Sequence, residues 1–199
     1  MIFLQNTSNY DKGIAPLKEL SLNVLDIAQN SIRAEASLIE ISLEISTAEN
    51  LLKITVKDNG IGFDERIHGA SRNNNTSHEK RNGFGIPLFR KSAEETGGRF
   101  CITSQKRKRT VVSAVYILNH PDRTPIGDIS ATIEALILCC RDIDFIYTYK
   151  VDDESFILDT ARIKELLEDI PITSPEVMEY IRMFLKDNTD RINKTFLKG

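Results

Sequence analysis

The chain has 199 residues, 41% hydrophobic and 28% charged, which is enough for one good core or two small ones and places it in a compact globular class. A net charge of −3 excludes the broad basic field that holds a duplex or an anionic membrane, so neither nucleic acid nor membrane is an expected partner. Residues 135–140 form the longest apolar run, too short to span a bilayer, and no charged-then-apolar leader opens the chain, so the expected compartment is the cytoplasm. Cys101, Cys139 and Cys140 lack metal-ligand spacing and suit a reducing compartment as small buried apolar groups.

In chain order, residues 17–34 repeat Leu20, Val24, Ile27, Ala28 and Ile32 on one arc, which predicts an amphipathic helix. Ile39, Ile41, Leu43 and Ile45 then alternate with Glu40, Ser42, Glu44 and Ser46, the two-residue period of a half-buried strand. Leu52, Ile54 and Val56 repeat it, and the short segment 47–50 makes the two strands an antiparallel hairpin against a helix layer. Residues 64–82 are polar and lack either period, as a mobile lid would. A helix over 86–96, stopped by Gly97 and Gly98, precedes strands at 99–104 and 111–118. The expected architecture is an α+β sandwich with a mixed sheet and a helix layer over residues 1–120. The break at 120–125 marks a domain boundary, after which 121–199 form a small α+β domain: a helix to Cys140, a hairpin over 144–159 and two helices.

Three motifs carry chemistry. Asn23, Asp26, Asn30 and Arg33 form a polar stripe on the first helix; it is a solvated face or, since an amide oxygen is a hard ligand, a place where Asn30 holds magnesium. Asp58-Asn59-Gly60-Ile61-Gly62 follows a strand end; it is a plain turn, or a carboxylate that accepts from a base while glycines let a flat ring lie on the backbone. Asn82-Gly83-Phe84-Gly85-Ile86-Pro87 opens a helix, where free N–H groups and the helix dipole suit phosphate.

Together, Asp26 to Asn30 within a helix, Asp58-x-Gly60-x-Gly62, a polar lid and Gly83-x-Gly85 opening a helix resemble the N, G1 and G2 boxes of the GHKL (Bergerat) ATP-binding domains of gyrase, Hsp90, histidine kinases and MutL. The resemblance covers about residues 15–118 and implies ATP and Mg2+ as ligands. It implies that Asp58 reads the adenine amino group beside Gly60 and Gly62. It further implies that Asn30 holds magnesium, and that Gly83, Phe84 and Gly85, with Lys80 and Arg81 of the lid, wrap the triphosphate. Thr110 resembles the threonine that supports the adenine aspartate, although Lys106, Arg107, Lys108 and Arg109 replace the usual small turn residues.

Two departures bear on activity. Family members that hydrolyse ATP carry glutamate four residues before the magnesium asparagine, whereas here Asp26 is the candidate base; a carboxylate one methylene shorter argues for slow chemistry. His68 and His78 fall in the lid and His120 in the linker, so none lies on a phospho-accepting helix. The chain as a whole is similar to bacterial stand-alone ATP-binding proteins whose short C-terminal domain begins at a Pro-x-Gly-Asp motif, here Pro125 to Asp128, and which are encoded beside redox enzyme subunits. That resemblance implies a regulatory kinase or slow ATPase acting on a protein partner, a redox enzyme or regulator, with a homodimer as one assembly. The alternative is a nucleotide sensor whose lid switches partner binding. Phe145, Tyr147, Tyr149 and Phe156 on the hairpin, and Val177, Ile181, Phe184 and Leu185 on the last helix, form either a partner-facing surface or the C-terminal segment's own core.

Overall fold

The computed structural model describes residues 19–62 and 85–196. In chain order these form α1 (Leu20–Arg33), β1 (Leu38–Ser46), β2 (Leu51–Asp58), α2 (Gly85–Glu95), β3 (Arg99–Gln105) and β4 (Arg109–Ile117). There follow α3 (Ile129–Cys139), β5 (Asp144–Val151), β6 (Glu154–Asp159), α4 (Thr160–Leu167) and α5 (Pro175–Phe196). The strands make one six-stranded sheet in the order β3-β4-β2-β1-β5-β6. All neighbours are antiparallel except β1 and β5, which run parallel. The mixed α+β sheet expected from the sequence is therefore present.

Alternation decides the layers. Ile39, Ile41, Leu43 and Ile45 of β1, Leu52, Ile54 and Val56 of β2, and Val112, Ala114 and Tyr116 of β4 are buried on one face. That face is covered by the helices, with α1 against α2 and α3, and α3 against α5. The opposite face stays wet, and its cross-strand partners are polar: Lys57 pairs with Glu40, Lys53 with Glu44 (3.5 Å), and the Thr55 hydroxyl with that of Ser113 (3.2 Å). Such exposed pairs contribute little stability, roughly 0–1 kcal/mol each, but they keep this face from burying a second layer.

The boundary at 120/121 is a break in regular structure, but the sheet and the core run across it. β5 pairs with β1 over eight positions, from Leu38 with Asp144 to Ile45 with Val151. The core therefore joins Ile39 and Ile41 to Phe145, Tyr147, Tyr149 and Phe156, all buried. Phe156 meets Tyr147 edge-on at 5.9 Å and Phe184 of α5 at 5.7 Å, and the Tyr149 hydroxyl donates to Asn193 Oδ1 (2.7 Å). Of the two roles open for these aromatics, the structure decides for core. Ile181 and Leu185 of α5 are fully buried with them. Burial pushes the Tyr147 and Tyr116 phenols above their ordinary range, leaving both neutral. The cysteines correct the sequence reading: Cys101 is exposed because it alternates onto the wet face of edge strand β3, while Cys139, the last residue of α3, is exposed and Cys140 after it is half-buried.

The Pro-x-Gly-Asp segment is a clasp. The N–H groups of Leu20 and Ser21, at the open start of α1, donate to the carbonyls of Pro125 and Ile126 (both 2.8 Å). Gly127 has φ +74, and a Cβ there would collide with Glu19 and Ser21. Asp128 then caps α3 by accepting from the Ala131 N–H (2.8 Å). One short stretch thus satisfies the donors of one helix and starts the next. Among the described residues no helix is long and apolar enough to cross a membrane.

Because β5 and β1 share a ladder and a core, thermal unfolding is expected as a single transition across both halves. Phe156→Ala should lower stability by about 3–5 kcal/mol in urea denaturation and shift all probes together. Two separate transitions would show that the C-terminal segment folds by itself.

Candidate functional site

The site begins with a carboxylate in an apolar position. Asp58 ends β2, where the alternation of Leu52, Ile54 and Val56 points its side chain to the helix side, and it is 6% exposed. In register across the sheet lie Ser104, Thr110, Asp58, Ile39 and Phe145. This row is polar on the β3-β4-β2 half and apolar on the other. Each oxygen of Asp58 has a fixed donor: Ser31 Oγ to Oδ2 at 2.7 Å and the Gly60 N–H to Oδ1 at 3.0 Å. A carboxylate offers about four acceptor directions, so lone pairs remain for a further donor.

The glycine loop is clamped from two sides. The Ile61 N–H donates to the Ala34 carbonyl (2.8 Å) beyond the end of α1, and the Arg107 N–H of the β3–β4 turn donates to the Ile61 carbonyl (2.6 Å). A Cβ on Gly60 would lie 2.5 Å from the Ala34 carbonyl oxygen. Gly62 has φ +56, and a Cβ there would lie 2.6 Å from the Gln105 carbonyl oxygen and 3.0 Å from Ser104 Oγ. Both positions therefore require glycine on steric grounds, and Gly62 on conformational grounds as well. Asn59 ties the loop to the start of β1, its Oδ1 accepting from the N–H groups of Ser37 and Leu38 (both 2.9 Å).

Thr110 is buried, with its hydroxyl 3.0 Å from Ser104 Oγ, and it faces Asp58 across β2 and β4. Lys106 to Arg109 are all exposed, and Arg107 takes φ 58 in the turn. On α1, Asn30 and Asp26 stand one turn apart, as their spacing predicts. Asn30 Oδ1 accepts from Arg33 Nη1 (2.8 Å), so the oxygen expected to hold magnesium carries a guanidinium in this conformation. Asp26 lies against Gly85, the first residue of α2, so closely that a Cβ there would overlap its carboxylate. Its Oδ2 is shut from solvent and has no partner among the described residues. Lys80, Arg81, Gly83, Phe84 and the lid over 64–82 lie outside the described residues.

Asp26, Asn30, Asp58, Gly60, Gly62, Gly85 and Thr110 thus belong to one end of the sheet and the two helices beside it. Ser31 was not singled out from the sequence. Its signal is a hydroxyl on the apolar arc of α1, one turn after Ile27, where a polar side chain needs a buried partner.

The family of histidine kinase-, DNA gyrase B- and HSP90-like ATPases matches residues 16–120, more than half the chain. The protein belongs to this family. Among solved structures, the chain is similar to the N-terminal domain of a DNA repair protein at 15% identity and TM-score 0.51, covering 72% of this chain and 53% of that one. It spans about half the length of that relative. It is also similar to the topoisomerase IV ATP-binding domain of Francisella tularensis, solved with a small-molecule inhibitor, at 15% identity and TM-score 0.39, covering 67% and 83% of the two chains. At such identity the first likeness speaks for the fold alone. Among curated protein sequences none matches the chain. In this family member, one end of the sheet, α1 and the start of α2 are the candidate site.

Ser31→Ala would leave Asp58 Oδ2 buried without its donor, so urea denaturation should show a loss of about 1–3 kcal/mol. Ser31→Thr, which keeps the hydroxyl, should recover most of it.

Proposed function

We propose that this protein binds ATP with magnesium and acts as a stand-alone regulatory kinase or slow ATPase on a protein partner. The observation that carries the reading is Asp58: a buried carboxylate with one fixed donor on each oxygen, beside a loop that only glycine can form. Adenine presents an N6 amino donor to such an acceptor, whereas guanine presents a carbonyl oxygen at the equivalent position. A charged acceptor in a desolvated pocket therefore selects adenine.

The residues fit the rest of the ligand. Gly85 opens α2, whose first N–H groups and dipole suit phosphate. Asn30 would supply an amide oxygen to magnesium once Arg33, which is exposed, releases it. Magnesium, when bound, would supply neutralising charge for the phosphates, and Asp26, four residues before Asn30, is the candidate base for an attacking hydroxyl. The short side chain at this position favours slow turnover or transfer to a partner over rapid hydrolysis.

A second reading is a nucleotide sensor that changes a partner-binding surface without transfer. The Arg33 to Asn30 bond favours it, because magnesium-bound nucleotide would have to displace this bond and so move Arg33 at the surface. A protein partner, a cytoplasmic setting and a homodimer remain part of the proposal, and nucleic acid does not. Nucleotide titration with and without magnesium, followed by mass spectrometry of candidate partners for ATP-dependent phosphate, separates the two readings.

Asp58→Asn should weaken ATP binding by about 1–3 kcal/mol and narrow the preference over GTP. Unchanged affinity would remove the adenine assignment. In calorimetry, Asn30→Ala should abolish the magnesium-dependent gain in ATP affinity, while Arg33→Ala, by removing one donor that competes for the amide oxygen, should enlarge it. If both variants keep the wild-type gain, magnesium is held elsewhere.

A further inference from the structure

Helix α3 carries apolar residues on every side, a pattern that belongs to a helix surrounded by protein. From Ile129 to Cys139 only Glu134 is charged. The inner side lies in the core, with Ile129, Ile133, Leu136 and Ile137 all buried. The outer side has no cover among the described residues. Ala131, Ala135, Leu138 and Cys139 follow one helical stripe there, and all four are exposed, Leu138 by 57%.

Both flanks widen the stripe. The Thr132 hydroxyl donates to the Ser21 carbonyl of α1 (3.5 Å), and the next residue on α1, Leu22, is 40% exposed. On the other flank Arg182 of α5 donates to Glu134 (2.9 Å), and the next residue, Met183, is 55% exposed. That ion pair ties the one charge of α3 to its neighbour helix, so no unpaired charge stands on the stripe. A contiguous apolar surface rimmed by polar groups, unlike apolar residues scattered singly, marks a contact with another protein surface.

We propose that the outer face of α3 is the contact between two copies of this chain, with the two α3 helices antiparallel and crossing at Ala135. The order of side-chain sizes along the stripe carries this choice of occupant. Ala131 and Ala135 are small and stand first, whereas Leu138 and Cys139 are larger and stand last. An antiparallel copy therefore sets the large end of each helix against the small end of the other, with Cys139 facing Ala131, and lays Ala135 on Ala135 where the helices cross. A parallel copy would set small on small and large on large, leaving a gap at one end. The stripe is thus complementary to itself, as a two-fold interface requires, and it brings no like charges together on the axis. This inference rests on the proposed homodimer and gives it a surface, and it does not depend on nucleotide binding.

In analytical ultracentrifugation from about 1 μM to about 1 mM, the full chain should pass reversibly from monomer to dimer. Ala135→Glu should weaken the dimer about tenfold or more, because the two-fold sets the two new carboxylates against each other. Its unfolding temperature should also lose the rise with protein concentration that the wild type shows. A cysteine pair tests the register in a Cys101→Ser, Cys140→Ser background. There Ala131→Cys should form, under a mild oxidant, a disulfide-linked dimer joined from position 131 to Cys139. Within one chain these positions lie about 12 Å apart along the helix, beyond the reach of a disulfide, so the link reports only the second copy. A chain that stays monomeric throughout, a dimer indifferent to Ala135→Glu, or a dimer that does not form the 131–139 link overturns the proposal; if the glutamate variant fails to fold, the cysteine pair alone decides. Nucleotide titration of the same samples judges the ATP reading, so either can fail while the other stands.

Discussion

The buried Asp58 carboxylate is the constraint around which the site is arranged. A charge placed on the core side of a sheet is tolerated only when hydrogen bonds replace the water it has lost. Ser31 supplies one of them from α1, and the Gly60 N–H supplies the other from the loop that follows β2. The first bond fixes how α1 sits on the sheet. The second fixes the path of the loop, which in turn leaves no space for side chains at Gly60 and Gly62. A helix position and a glycine motif are thus both tied to one electrostatic requirement.

Helix α1 links this requirement to the rest of the chain. Its inward arc packs Leu20, Val24, Ile27 and Ala28 into the core, while Asn23, Asp26 and Asn30 run along its flank. Its first donors are met by the carbonyls of Pro125 and Ile126, and its end hands the Ala34 carbonyl to Ile61. Any movement of the C-terminal half that shifts the Pro125–Asp128 clasp acts on the same helix that carries the candidate chemistry. The fold therefore joins the segment around residue 127 directly to the start of the helix that carries the candidate residues.

The C-terminal segment is built to be covered by the rest of the protein. β5 takes the edge of β1 that would otherwise expose unpaired backbone groups, and its alternate side chains extend the same core. The row of Ile39, Phe145 and their neighbours is apolar, while the other half of that row carries Asp58 and Thr110. Within this one row, the polar residues lie on the β2 side of β1 and the apolar ones from β1 to β5.

Strict alternation in Ile39 to Ile45 and Leu52 to Val56, and the helical arc from Leu20 to Ile32, were legible in the sequence because each period is a local property of the chain. The three motifs were legible for the same reason: glycine, aspartate and asparagine have strong backbone and ligand preferences wherever they occur. Four features were not. The partnership of Ser31 with Asp58 spans 27 residues, and the diversion of Asn30 to Arg33 depends on a rotamer choice. The parallel pairing of β5 with β1 and the burial of the hairpin aromatics depend on which strand edge is free. Sequence by itself determined the elements, the family resemblance and the residue types available for chemistry, because these follow from local periodicity and side-chain identity. Only the tertiary structure decided that the sheet continues through the expected boundary, and which polar atoms found partners, because burial and hydrogen bonding between distant segments exist only once the chain has packed.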